Sequence, residues 1–310
     1  MKRGTSIQVK ILVLILLLVI VTTTLLAFLN FRVSSRTLED DIKGSLTTMT
    51  ANIEGSVNNL LKSYDIGIKA LSENQALRNV LVDTMSRTED ISNILQNFAA
   101  SHEDVLSPYL ATVDKELFIY PEADLPDDFD PTSRAWYQDA VKRKSTLWTS
   151  PYIDAATGKM IVTVARPVYD ASKNLAGVIG IDISLEQLAS MISGFKVGEK
   201  GYFILTDTDG NVLVHPNAEM LGKPIDSEAL LIAANTTDYT GTMDYTYNNE
   251  KKFCAYTTIS LSKWRIFGTF SYMEILNKTS TILKSAVYTT LALMVLAILA
   301  GIIMTRPVIK

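Results

Sequence analysis

The chain has 310 residues, 47% of them hydrophobic, with 33 acidic and 29 basic residues, two histidines and one cysteine. The lone Cys254 excludes an intrachain disulfide, so packing must hold the fold. Residues 32 to 284 hold all 33 acidic residues and 24 of the 29 basic ones, a balance of −9 that argues against a nucleic-acid partner, whereas both ends are purely basic.

Two charge-free apolar runs, Ile11 to Phe31 and Ser285 to Thr305, have 21 residues each. At about 1.5 Å per residue, each spans a hydrocarbon core of about 30 Å. Lys2, Arg3 and Lys10 precede the first run, and Arg306 and Lys310 follow the second, so the positive-inside rule puts both termini in the cytoplasm and residues 32–284 outside. The first run is longer than a leader's apolar region. No Ala-x-Ala site follows it in Asn30-Phe31-Arg32-Val33-Ser34-Ser35, so it is read as an anchor in the cell membrane.

From Leu38 to about Val82 apolar residues recur at helical spacing, among them Ile42, Leu46, Ile53 and Val57, which predicts one long stalk helix. Its narrow stripe suits packing on its own domain, or partly on a second copy of the chain. A helix near Glu89 to Ala100 follows. Period-two runs then predict strands at Leu117 to Tyr120, Lys159 to Tyr169 and Leu175 to Ile183, with a short helix over Ser133 to Lys142 capped by Ser133. A second cycle begins with a helix at Ser184 to Ser193. A hairpin across Asp207-Thr208-Asp209-Gly210 follows, then a helix over Asp226 to Ala234. Strands at Gly241 to Tyr247, Lys252 to Ile259 and Trp264 to Phe270 complete it. Glu274 to Lys284 continues as helix into the second apolar run. The fold class is α+β: a long stalk helix and two tandem modules with antiparallel sheets, flanked by two transmembrane helices.

The sequence has no metal-spaced Cys/His cluster, Gly-x-Ser-x-Gly or phosphate-binding glycine loop, so no catalytic residue, metal or cofactor is expected. Asp127-Asp128-Phe129-Asp130 and Asp207-Thr208-Asp209-Gly210 are too short for calcium loops and read as turns. Arg134-Ala135-Trp136-Tyr137 places a guanidinium, an indole and a phenol within one helical turn, next to strands that supply Tyr152 and Asp182. Such a set can grip an amino acid: arginine forks the carboxylate, the aspartate balances the ammonium, and the aromatics supply neutral donors and walls. The other reading makes the aromatics core residues and Asp182 a cap for the helix beginning at Ser184. Asp182 ends the apolar run Ala176 to Ile183, where an unpaired carboxylate is costly, and this favours a site.

Two stretches resemble the double Cache sensor domain of bacterial methyl-accepting chemotaxis receptors: Arg134-x-Trp136-Tyr137 with Tyr152 and Asp182, and Gly198-Glu199-Lys200-Gly201-Tyr202-Phe203-Ile204-Leu205 through Asp209-Gly210 to His215-Pro216. The resemblance covers almost the whole chain. It implies a PAS-like membrane-distal ligand-binding module at 101–190 and a membrane-proximal module at 191–273. Stalk and connecting helices occupy 32–100, and a further connecting helix occupies 274–284. A HAMP-like linker would start at 306–310.

By this resemblance, Arg134, Trp136 and Tyr152 hold the carboxylate of an L-amino acid while Tyr137 and Asp182 meet its ammonium. Phe129 stands where the family pattern has a tyrosine, which removes one hydroxyl; Asp130 or Tyr120 are candidates to supply the missing contact, and residues near Tyr120, Ile153 and Asp154 are candidates to set side-chain specificity. The implied partners are a small-molecule ligand, membrane lipid, a second copy of the chain, and a cytoplasmic signalling domain with its kinase. The same module also occurs on histidine kinases and cyclic-nucleotide enzymes, and a periplasmic or surface protein is the alternative ligand.

Overall fold

The computed structural model describes residues 7–79, 87–102 and 104–305. Helix α1 (Ile7–Glu73) carries the first apolar run and the stalk in one piece about 100 Å long. It stops at Glu73 because Asn74 takes an extended backbone and caps the short α2 (Gln75–Arg78) by accepting from the Ala76 N–H. The expected helix end near Val82 falls outside the described residues. Ile42, Leu46, Thr50, Ile53, Val57, Leu61, Tyr64, Ile68 and Leu71 are buried at intervals of three and four. This inward stripe packs on strands of both sheets, so the chain uses it on itself.

After α3 (Arg87–Ala100) comes the first sheet. Its strands are β1 (Ser107–Thr112), β2 (Leu117–Ile119), β3 (Leu147–Trp148), β4 (Tyr152–Ile153), β5 (Met160–Tyr169) and β6 (Leu175–Ser184). The order is β2-β1-β6-β5-β3, with β4 also pairing β5, and all pairings are antiparallel. Two of these strands, β1 and β3, are absent from the sequence-based expectation, which places Tyr152 of β4 on a strand without giving its bounds. Helix α4 (Ala135–Arg143) covers one face of this sheet and α1 the other. The cap of α4 is Arg134, not Ser133: Ser133 ends a 3₁₀ turn, Pro131–Ser133, and donates to the Asp130 carbonyl.

Helix α5 (Leu185–Ser193) leads into the second sheet. Its strands are β7 (Tyr202–Thr206), β8 (Val212–Val214), β9 (Thr240–Tyr247), β10 (Glu250–Thr258) and β11 (Arg265–Ser271), and α6 (Glu228–Ala234) lies between β8 and β9. The antiparallel order β8-β7-β11-β10-β9 repeats the logic of the first sheet. Here the space under α6 is filled by Ile204, Leu230, Tyr245, Cys254 and Phe267. Helix α7 (Tyr272–Thr305) carries the second apolar run. The apolar ends of α1 and α7 are exposed, Leu14 at 69% and Leu296 at 60%, and each is long and apolar enough to cross a membrane. Residues 306–310, expected to open a HAMP-like linker, lie outside the described residues.

Candidate functional site

The α4 face of the first sheet holds a cavity with about 360 Å³ of atom-free space, counting its mouth. Its polar lining is Tyr109, Arg134, Trp136, Tyr152, Asp154 and Asp182. Its apolar lining is Leu117, Ile119, Leu125, Phe129, Ala155 and Ala156.

Asp182 sits at the floor, 4% exposed, on the central strand β6 between Ser107 of β1 and Thr163 of β5. It caps nothing: Ser184 caps α5 by accepting from the Glu186 N–H. Instead Asp182 Oδ1 accepts from Tyr109 Oη at 2.9 Å and from Thr163 Oγ1 at 2.6 Å. Thr163 has spent its only proton on Asp182, so the 2.6 Å contact from Tyr152 Oη is a donation by the tyrosine. Both bonds fall on Oδ1, and among the described residues none goes to Oδ2. Burial drives the Asp182 carboxyl up to about 7; the Thr163 and Tyr109 hydroxyls and, across the cavity, the Arg134 charge oppose that rise, while nearby Asp154 adds to it. Burial also pushes the Tyr109 and Tyr152 hydroxyls well above the usual phenol range, so both are neutral donors.

Arg134 enters from the start of α4. Its guanidinium lies 5.8 Å from the centre of the Phe129 ring and makes no ion pair among the described residues. Trp136, 4% exposed, packs edge-on against Tyr109 with ring centres 5.0 Å apart. Gly180 is required beside it, because an added Cβ would run into the Tyr109 ring.

The structure thus brings Arg134, Trp136, Tyr152, Asp182, Phe129 and Asp154 to one cavity, but not Tyr137 or Tyr120. Tyr137 is buried behind the cavity wall, its ring 5.8 Å from that of Trp136 in the small core with Ala140 and Leu147. Tyr120 follows the alternation of β2: Leu117 and Ile119 face the cavity, whereas Phe118 and Tyr120 pack on the main core. It therefore does not replace the hydroxyl missing at Phe129. Nor does Asp130, whose carboxylate takes Lys115 at 2.7 Å and the Thr132 N–H and hydroxyl, with Lys115 foremost in holding it down to about 2. Asp154 lines the mouth, but its oxygens accept from the Ala156 and Thr157 N–H groups and the Thr157 hydroxyl, shaping the turn before β5. The same use of a carboxylate recurs at Asp207, which accepts from the Asp209 and Asn211 N–H groups.

Tyr109 and Thr163 are the site residues that the sequence reading lacks. Thr163 carries a signal, a lone hydroxyl in the apolar run Ile161 to Ala165. Tyr109 carries none, because Pro108 argues against a strand there. Pro108 stands at the end of the β1–β2 pairing, where its carbonyl still accepts the Tyr120 N–H.

Two antiparallel sheets on one helical spine, with a polar-floored cavity in one sheet and a filled face in the other, define a tandem sensory α+β fold. The chain belongs to the Cache domain family, whose model matches residues 34–279. The methyl-accepting chemotaxis protein McpC of Bacillus subtilis is 28% identical over 309 residues, covering 97% of this chain and 45% of McpC. The chain thus spans less than half the length of that relative. The ligand-binding domain of the Pseudomonas fluorescens chemoreceptor CtaA, solved with L-isoleucine, is 25% identical with a TM-score of 0.61, covering 78% of this chain and 98% of that one. The ligand-binding domain of the Pseudomonas aeruginosa amino acid chemoreceptor PctB, solved with L-Arg, shares the fold at 24% identity and a TM-score of 0.61, covering 75% and 96% of the two chains.

Proposed function

We propose that this chain is the sensing part of a transmembrane chemoreceptor that binds an L-amino acid between α4 and the first sheet. The observation that carries the reading is the opposition, across one cavity, of an arginine that makes no ion pair and a buried carboxylate whose Oδ2 takes no bond among the described residues. Arg134 and Trp136 receive the ligand carboxylate; Asp182, held by Tyr109 and Thr163 with Tyr152 donating to Thr163, receives the ammonium. Tyr137 sets the position of Trp136 from behind.

The apolar ends of α1 and α7 are the membrane spans, with residues 32–284 outside and lipid around the spans. Their exposed leucines, isoleucines and valines form a surface that water does not tolerate. The chemotaxis relatives support a signalling output, and we propose that it runs through a cytoplasmic signalling domain and its kinase, with the receptor as a homodimer. Ligand can shift the signalling equilibrium only by its differential affinity for two states, typically 1–3 kcal/mol.

The test is titration calorimetry of the 310-residue chain in lipid nanodiscs against the twenty L-amino acids. Saturable heat is expected, weakened at least tenfold in Arg134→Ala, since a charge-assisted hydrogen bond is lost. Silence across the panel from folded protein would sink the reading and leave a protein ligand as the next candidate.

A further inference from the structure

Resting on the amino-acid reading above, we infer that the cavity selects small aliphatic side chains, of the size range from alanine to leucine, and rejects charged ones. The polar groups of the lining are used up by the two charged ends of an amino acid. Arg134 and the Trp136 indole face the carboxylate, while Tyr109, Tyr152 and Thr163 form the hydrogen-bonded set around Asp182. Asp154 is the one charge left, and its own turn occupies both of its oxygens.

What remains for the ligand side chain is Leu117, Ile119, Leu125, Phe129, Ala155 and Ala156, which offer no side-chain hydrogen-bonding group. A carboxylate pressed against that wall would lose its water and find no counter-charge, and an ammonium or guanidinium would meet only Asp154, whose two oxygens already serve its own turn. Space sets the upper limit, because the whole ligand must fit in the roughly 360 Å³ of atom-free space that includes the mouth. Phe129 belongs to the same logic. Where a tyrosine would present a hydroxyl, the bare ring lies 5.8 Å from the Arg134 guanidinium and extends the apolar wall. The sequence alone points to the neighbourhood of Ile153 for specificity, but that side chain is 62% exposed and faces away from the cavity.

The experiment compares alanine, valine, isoleucine and leucine with aspartate, glutamate, lysine and arginine by calorimetry on the nanodisc-embedded chain. Each buried methylene should tighten binding about fourfold until the cavity is full, and the charged set should bind at least a hundredfold more weakly than the best aliphatic. Ile119→Ala, and independently Leu125→Ala in its loop, should move the optimum toward longer side chains. Tight binding of a charged amino acid together with weak aliphatic binding overturns the selectivity and leaves the amino-acid reading standing. An optimum unmoved by both variants, in protein that still binds, removes this wall from the selectivity. Absence of any binding overturns both readings.

Discussion

A carboxyl group held near neutrality makes Asp182 the residue through which pH reaches this domain. Its folded value of about 7 lies above the ordinary 3.8, so as pH rises the unfolded chain releases the proton first. The contribution to stability is complete below 3.8 and is lost as pH climbs toward about 7, by at most about 1.4 kcal/mol per pH unit. In differential scanning fluorimetry of the ligand-free chain between pH 4.5 and 7.5, the melting temperature should therefore fall relative to that of Asp182→Asn. A parallel profile for the two proteins would refute the assignment. A bound ammonium reverses the preference, because it needs the ionised carboxylate. Amino-acid affinity should accordingly weaken as pH drops below about 7. Of these site residues, Arg134, Trp136 and Asp182 were legible in the sequence because a cation, an indole and a carboxylate at those spacings ask for a reason. The supports were not: Tyr109 and Thr163 become neighbours of Asp182 only through strand register.

Among the elements, the first turn of α7 ties the two ends of the second module together. Glu274 is buried and accepts from the Glu199 N–H at 2.8 Å and the Lys200 N–H at 3.1 Å, with the Lys278 ammonium at 3.2 Å. Burial works against its charge, but these donors outweigh it and hold the carboxyl below its usual value. The loop can approach so closely because Gly198 has φ +60° and no Cβ, which would collide with this carboxylate. Glu274→Ala should cost about 1–3 kcal/mol in urea unfolding, because two N–H groups lose their acceptor, whereas Glu199→Ala, which keeps its backbone N–H and loses only an exposed 3.8 Å contact to Lys278, should be near neutral. Equal effects would show that side-chain charge rather than the backbone bonds matters. Elements with a sustained period, such as α1, β5, β6 and β10, could be read from the sequence. The two-residue β3 could not, since it exists only by pairing with β5.

At the scale of the whole molecule, α1 is one rigid rod that touches both sheets and continues into an exposed apolar segment, where it lies beside α7. Any shift between the sheets is thereby delivered to the same pair of helices. This works only if the sheets lie on one side of the membrane and both termini on the other, an orientation that rests on flanking lysines and arginines. The chain supplies its own silent background for a test. Cys254 is fully buried and burial pushes its thiol up, so it offers neither access nor thiolate to a maleimide. Ser172, exposed in the turn between β5 and β6, is a position where a cysteine meets solvent without disturbing the strands. In intact cells a membrane-impermeant maleimide should label Ser172→Cys as fully as after permeabilisation, and leave the parent chain unlabelled. Labelling that appears only after permeabilisation would place the sheets inside, reversing the orientation and with it the direction in which this receptor listens.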